Sequence, residues 1–124
     1  MNIIICGAGR VGFTIAKLLT EQDHSITIID QSSEDIQKIN DSLDVRSIVG
    51  KATYPSILEK ADAENADMII AVTKNDEINM LICQIAFSIF NIPAICFMRC
   101  CSLKCNSSSA YATSKTQQIK SILS

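Results

Sequence analysis

The chain has 124 residues, of which 48% are hydrophobic and 5% aromatic, and it contains no tryptophan. This length suits one domain and is too short for a nucleotide-binding domain joined to a substrate domain, which excludes a complete dehydrogenase. A net charge of −2 argues against a general binder of nucleic acid or anionic lipid. Because no segment reaches the roughly 18 to 20 apolar residues of a membrane span and no basic signal region opens the chain, we expect a cytoplasmic protein.

Six cysteines raise the question of disulfides or zinc. Three of them lie inside apolar segments, where a cysteine usually acts as a small buried hydrophobe, and the other three cluster beyond residue 99 without paired Cys-x-x-Cys spacing. They are Cys6, Cys83 and Cys96, then Cys100, Cys101 and Cys105. With His24 as the single histidine, we expect no metal site, and a reducing compartment fits best.

The first half of the chain alternates between strand and helix patterns. Ile3–Cys6 is an uninterrupted apolar run, typical of a central parallel strand, and the helical spacing of apolar residues predicts a helix over about Val11–Glu21. Ser25–Ile29 predicts the second strand. Ser32, with Asp35 three residues later, then forms a capping box that predicts the start of the second helix.

The second half continues the alternation. Apolar runs predict three further strands, over Val45–Val49, Met68–Val72 and Ala94–Met98. Between the first two of these, Thr53 can cap a short helix that has Pro55 in its first turn. Asp76–Phe90 predicts a long helix that is apolar almost all round, so we expect it to be covered on both sides, by the sheet and by another subunit.

This alternation predicts an α/β fold of the Rossmann-like, doubly wound type. Strand–helix–strand units connect by right-handed crossovers and give a parallel sheet, for which we expect the strand order 3-2-1-4-5. In such a sheet a ligand binds at the carboxyl ends of the strands where the order reverses. We therefore expect a nucleotide above the ends of the first and fourth strands.

A glycine motif, Gly7-Ala8-Gly9-Arg10-Val11-Gly12, directly follows the first strand. Gly7 permits a tight exit from the strand, Gly9 lets the backbone approach a pyrophosphate, and Gly12 lets the helix lie close to the sheet. The helix that begins near Arg10 directs its unpaired N–H groups at the phosphates. Asp30 ends the second strand, where a carboxylate accepts from ribose hydroxyls and repels a 2′-phosphate, which favours NAD(H) or an adenosine nucleotide over NADP(H).

Simpler interpretations of these residues stay open. The glycines also suit a strand-to-helix turn that binds nothing, and Arg10 suits either a phosphate contact or a solvated surface. Lys74 and Asp76 leave the fourth strand at the same edge as Thr73. Lys74 is a candidate ligand or a solvated loop charge, and Asp76 a candidate ligand or a helix cap.

The chain resembles the TrkA N-terminal family, also called the RCK or KTN domain. The resemblance rests on four stretches and covers residues 1 to about 99. They are Ile3 to Gly12, Ile28-Ile29-Asp30, Ala66 to Thr73, and Asp76-Glu77-x-Asn79-Met80. The stretch from Ala66 to Asn79 is the most specific to the family, because many dinucleotide binders share the glycine motif.

The resemblance implies a cytosolic regulatory domain of bacterial potassium uptake systems and channels, not an enzyme. Such a domain binds NAD(H), or ATP and ADP in relatives, and acts through a ring of copies on a membrane-embedded potassium transporter, at the cytoplasmic face of the inner membrane. It implies that Gly7 to Val11 take the phosphates and Asp30 the ribose, with Thr73 and Lys74 at the nucleotide's edge. Arg99 is the one arginine retained from an Ala-Arg-x-Arg pattern that ends the fifth strand in the family.

The sequence departs from the family pattern after the third strand and beyond residue 99. Lys51 stands where the family often has Asp or Asn, which points to an altered nucleotide preference. All 13 acidic residues lie in residues 1–99, whereas residues 100–124 carry three lysines and no acid. We expect a nucleotide-binding domain over residues 1–99 and a divergent tail over 100–124, disordered or weakly helical at Thr113 to Leu123, in a truncated chain that lacks the family's sixth strand.

Three functions therefore compete. The first is a nucleotide-sensing regulatory subunit of potassium uptake. The second is an NAD-binding fragment of an oxidoreductase, which would need a substrate domain. The third is an interaction module that binds no nucleotide. Ligand binding separates the third from the others, and nucleotide-dependent reduction separates the first two.

Overall fold

The computed structural model describes residues 1–92 and 94–96, with the side chains of residues 95 and 96 left out. Strands and helices alternate through this part of the chain. In order, they are β1 (Asn2–Cys6), α1 (Arg10–Glu21), β2 (Ser25–Asp30), α2 (Ser33–Ser42), β3 (Arg46–Val49), α3 (Pro55–Lys60), a 3₁₀ turn (Ala63–Asn65), β4 (Met68–Ala71), α4 (Asp76–Phe90) and β5 (Ala94–Cys96).

The strands form one parallel sheet in the order β3-β2-β1-β4-β5, as predicted. β1 lies in the middle and pairs with β2 on one side and β4 on the other, so that Ile5 is opposite both Ile28 and Ile70. The carboxyl ends of these three strands therefore meet at one edge of the sheet. The loops that carry the predicted site residues leave from that edge.

The sheet has an apolar cluster on each face, and alternate residues of one strand serve each cluster. On β1, Ile3 and Ile5 pack on the face that α1 and α2 cover, while Ile4 and Cys6 pack on the face of α3 and α4. Burial on both faces explains the uninterrupted apolar runs of β1 and β4, because a central parallel strand has no solvent side.

Several predicted boundaries differ from the observed ones by one residue. β3 begins at Arg46, not Val45, and β4 ends at Ala71, because the ladder hydrogen bonds define a shorter element than the apolar run. The N-cap residue of α3 is Tyr54, not Thr53, and the Tyr54 side chain makes no capping hydrogen bond. Pro55 does occupy the first turn of the helix. The predicted continuation of the fifth strand to Met98 lies outside the described residues.

The two described cysteine side chains differ. Cys6 is a free, fully buried thiol, and its burial raises its pKa from 9.0 to about 12. Cys83 is 3% exposed, as its apolar surroundings predict, but it is disulfide-bonded, which burial alone did not indicate. The prediction of an unpaired hydrophobe is thus wrong for Cys83, because apolar neighbours do not prevent two thiols from meeting.

The long helix α4 packs one side against the sheet. Ile82, Cys83 and Ala86 are buried there, in the apolar cluster that β4 shares. The other side carries exposed apolar residues, with Met80 at 41% and Ile89 at 55% exposure. Among the described residues the helix is thus covered on one side only, and the predicted second cover by another subunit stays a prediction.

Candidate functional site

A cavity of about 530 Å³ opens at the edge of the sheet where β1, β2, β3 and β4 end. This volume lies within the range of small-molecule sites. The cavity is lined by the loops after these strands and by the first turns of α4: Gly7, Gly9, Ile29–Ser32, Asp35, Gly50–Tyr54, Val72–Asn75, Ile78 and Ile82.

The cavity brings together five of the nine residues predicted to bind a nucleotide: Gly7, Gly9, Asp30, Thr73 and Lys74. Three further ones, Ala8, Arg10 and Val11, adjoin it in the chain but are not among its lining residues. Arg99 lies outside the described residues. The assignment of these residues to a nucleotide stays a prediction.

Two of the motif's glycines are required by the fold itself. Gly7 has a φ of +120°, and a Cβ built there would lie 2.8 Å from the backbone oxygen of Val72. A Cβ built on Gly12 would overlap the backbone oxygen of Gly7. Both positions exclude a side chain because α1, the loop after β1 and the end of β4 contact one another through their backbones.

Gly9 is different, since the fold leaves space for a side chain there. It precedes α1 with a φ of −75° and a ψ of −164°, an extended conformation open to any residue. A Cβ built on Gly9 would meet no atom within 4 Å. Because Gly9 lines the cavity, that empty space is where a bound molecule would approach the backbone.

The amino end of α1 is left without a side-chain cap. α2 is capped by Ser32, whose Oγ accepts from Asp35 N at 3.3 Å, and α4 is capped by Asn75, whereas Gly9 offers no side-chain cap to α1. α1 also lacks an acidic residue in its first turn, although α2 and α4 have two each. Its positive dipole end thus meets no carboxylate of its own first turn.

The N–H groups of the glycine motif fall into two sets. Gly7 N donates to the backbone oxygen of Ile29 at 2.8 Å, and Ala8 N donates to Asp30 Oδ2 at 2.7 Å. The N–H groups of Gly9, Arg10 and Val11 have no hydrogen-bond acceptor within the described part of the chain. An anion at this end of the helix would therefore find its donors at residues 9–11.

Asp30 holds two loops together through its carboxylate. Oδ2 accepts from Ala8 N at 2.7 Å, and Oδ1 accepts from Ser32 N at 2.8 Å. Asp30 is partly buried and lines the cavity. Each carboxylate oxygen can accept a further hydrogen bond, so Asp30 can still take the two hydroxyls of a ribose.

The loop after β3 brings a cation and an aromatic ring to the cavity. Lys51 Nζ lies 5.8 Å from the centroid of the Tyr54 ring, within the range of a cation–π contact. Tyr54 is 54% exposed, so one flank of the cavity has an accessible aromatic surface. Lys51 stood out in the sequence as a departure from the family pattern, whereas no motif indicated Tyr54.

The loop after β4 is fixed by a buried amide. Asn79 is fully buried, and its Oδ1 accepts from Thr73 N at 2.8 Å and from Thr73 Oγ1 at 2.6 Å. Asn79 Nδ2 donates to the backbone oxygen of Thr73 at 3.2 Å. Asn79 belongs to a family motif that assigned it no role, although a polar residue inside an apolar helix is a usable signal.

Asp76 is not the N-cap of α4, so the interpretation of Asp76 as a helix cap is wrong. The cap is the preceding residue, Asn75, whose Oδ1 accepts from Glu77 N at 2.9 Å and Ile78 N at 3.2 Å. Asp76 is the first residue of the helix instead. Asn caps as well as Asp does, so residue type alone did not separate the two positions.

Among the described residues, no group of three or more His, Cys, Asp or Glu side chains is placed to hold a metal ion. No helix among them combines the length and apolar character needed to cross a bilayer.

Comparisons with known proteins agree with this architecture. Kef CTD from Shewanella denitrificans in its AMP-bound form has a TM-score of 0.65 at 22% identity, over 77% of this chain and 57% of that one. The GsuK channel bound to NAD has a TM-score of 0.68 at 19% identity, over 77% of this chain and 17% of that one. At these identities the likeness shows the shared fold.

The sequence comparisons reach further. A Trk system potassium uptake protein TrkA from Azorhizobium caulinodans is 48% identical over 93 residues, which is 75% of this chain. The match spans 20% of that relative, so the chain corresponds to about one fifth of the relative's length. Residues 3–101 match the sequence model of the family described as the TrkA-N domain. The chain therefore belongs to the TrkA-N domain family.

Proposed function

We propose that this chain is the nucleotide-sensing domain of a regulatory subunit of a bacterial potassium uptake system. The observation that carries the proposal is the cavity in which unpaired N–H groups at the start of α1 lie beside the carboxylate of Asp30. The proposed role in potassium uptake is inferred from a relative that is 48% identical and is named for that process.

NAD(H) is the proposed ligand, and ATP or ADP are its competitors. All of them contain a ribose for Asp30 and a pyrophosphate for the N–H groups of residues 9–11. The NAD of the GsuK channel and the AMP of Kef CTD support an adenosine nucleotide at this fold's edge. The open space at Gly9 fits the close approach that a pyrophosphate needs.

Sensing requires no chemistry within the domain. A nucleotide that contacts the loops after β2 and β4 differently in two arrangements shifts the population between them. A ring of such domains would dock at the cytoplasmic face of the membrane. A membrane-embedded potassium transporter would respond to the arrangement that the ring adopts. We propose neither an enzymatic activity nor a nucleic-acid partner.

Thermal unfolding with NAD+, NADH, ATP, ADP and NADPH tests ligand binding. A ligand at 100 times its dissociation constant stabilises by about 2.7 kcal/mol, and a Gly9→Ala variant should lose this gain. If none of these compounds raises the unfolding temperature of the wild-type chain, the sensor proposal fails. Turnover of NADH with a reducible substrate would favour the oxidoreductase fragment instead.

A second experiment tests the transporter. The chain is mixed with membranes that contain a Trk-type potassium transporter, and sedimented protein is measured with and without NADH. Nucleotide-dependent binding is expected, with the Gly9→Ala variant as the control that cannot respond. Equal amounts of sedimented protein with and without NADH would contradict the regulatory role.

A further inference from the structure

Two sides of the cavity, the Asp30 flank after β2 and the β4 flank at Thr73, are held in place by different hydrogen bonds. Phosphates at residues 9–11 would lie above the end of β1, with Asp30 on the β2 side and Thr73 on the β4 side. Neighbouring strands are about 4.8 Å apart, so the two flanks stand about 10 Å from each other. A compound with one nucleoside would reach only the Asp30 flank, whereas a dinucleotide would reach both.

The polar groups of Thr73, on the β4 flank, are bonded to the helix α4. The N–H, hydroxyl and carbonyl groups of Thr73 all bond to Asn79. Asn75 N donates to Thr73 Oγ1 at 3.3 Å, and the Asn75 side chain caps α4. Both neighbours of Lys74 are therefore fixed to the helix, and no ion pair holds the Lys74 ammonium within the described part of the chain.

We propose that Asn79 is the positioning residue for the second nucleoside of a dinucleotide, acting through Thr73 on Lys74. This inference rests on the proposed function and names the residue that makes the site prefer a dinucleotide over a mononucleotide. Asn79 has no exposed surface and does not line the cavity, so it acts without touching the ligand. Its three hydrogen bonds set the path of the loop that does.

Two variants test the inference by different changes. Asn79→Ala removes all three hydrogen bonds, and Thr73→Val removes only the hydroxyl while keeping the shape of the side chain. Each is expected to weaken NADH binding about tenfold or more, because the loop that carries Lys74 is no longer held in place, and to leave ADP binding within about twofold. Calorimetry with NADH and ADP measures both.

Two controls separate positioning from a general loss of stability. Ile39→Ala leaves a void where α2 packs on the sheet, and Ile39 does not line the cavity. This variant should lower the unfolding temperature without changing the NADH-to-ADP affinity ratio. Amide hydrogen exchange at residues 73–75 should quicken in both test variants and not in Ile39→Ala. This readout needs no ligand.

The outcomes are distinguishable. Equal weakening of NADH and ADP binding, or unchanged exchange at residues 73–75, overturns the role of Asn79 while the nucleotide sensor stands. A wild-type chain that binds neither compound removes the proposed function itself, and the preference for a dinucleotide with it. Selective loss of NADH binding with faster exchange supports the inference.

Discussion

Ala8 N donates a 2.7 Å hydrogen bond to Asp30 Oδ2, which ties the glycine loop after β1 to the end of β2. The same carboxylate accepts from Ser32 N at 2.8 Å, just before α2 begins. Asp30 is thus a structural link between three segments as well as the proposed ribose ligand. Substitutions at Asp30 must be judged by stability and by binding together.

Replacing Asp30 with Asn should change the discrimination between NADH and NADPH. The amide keeps an oxygen that can accept one of the two backbone hydrogen bonds, but it removes the charge that repels a 2′-phosphate. We expect the preference for NADH to fall by roughly tenfold, or about 1.4 kcal/mol, as measured by calorimetry. Asp35→Asn, at another carboxylate of the cavity, is the matched control. An unchanged ratio in Asp30→Asn would contradict the assignment of Asp30.

Gly9→Ala should separate folding from binding. The backbone at Gly9 is extended and a Cβ there meets nothing, so the variant should fold, with the free energy of unfolding changed by less than about 1 kcal/mol, because the lower entropy of the unfolded chain and the poorer N-cap of alanine oppose each other. The new methyl group would occupy the space of a pyrophosphate, and NADH affinity should fall at least tenfold by calorimetry. Wild-type affinity in Gly9→Ala would place the ligand elsewhere.

Gly12→Ala should do the opposite. Its Cβ would overlap the backbone oxygen of Gly7, so α1 must move away from the sheet. We expect the free energy of unfolding to drop by about 1–3 kcal/mol or more in a urea titration. A variant as stable as the wild type would contradict the close backbone packing seen here.

Ser32→Ala should weaken α2. Ser32 Oγ accepts from Asp35 N, and loss of such a cap costs about 1 kcal/mol. The neighbouring Ser33→Ala is the control, because Ser33 follows the cap and is exposed. Urea unfolding should distinguish the two variants, and equal stabilities would mean that the cap contributes nothing.

Cys6 should make stability fall at high pH. Its folded-state pKa of about 12 exceeds the ordinary value of 9.0, so the unfolded chain releases the thiol proton first as the pH rises. The contribution of Cys6 is fully present below pH 9.0 and is lost between pH 9.0 and about 12, with a slope of at most about 1.4 kcal/mol per pH unit. Cys6→Ala should lack this part of the pH dependence of unfolding. Parallel curves would contradict the shifted pKa.

The fold was predictable because its local signals and its tertiary demands agree. The apolar run of β1 and the helical spacing in α1 are what a sheet covered on both faces requires, and the glycine motif fixed how the two connect. The strand order followed from general rules on crossovers. Errors in the placement of the elements were confined to their ends, such as Tyr54 preceding α3 where Thr53 was expected, and the disulfide of Cys83 was missed.

The lining of the cavity was predictable only where a residue belongs to a familiar motif. Gly9 and Asp30 carry such a signal. Asn79 and Tyr54 do not, because their roles depend on which loop the fold places beside them. The hydrogen bond of Asp30 to Ala8 is tertiary as well, whereas the one to Ser32, two residues on, is a local turn contact typical of aspartate.

The contact between Gly12 and Gly7 limits which substitutions the wall of the cavity can accept. Because the backbones approach closely there, no side chain fits at Gly12 unless α1 moves, so the fold itself fixes the shape of the glycine loop. The exposed residues Lys51 and Lys74, on separate loops, are under no such constraint. Substitutions of these two lysines can therefore change the charge at the rim of the cavity without disturbing the backbone beneath it.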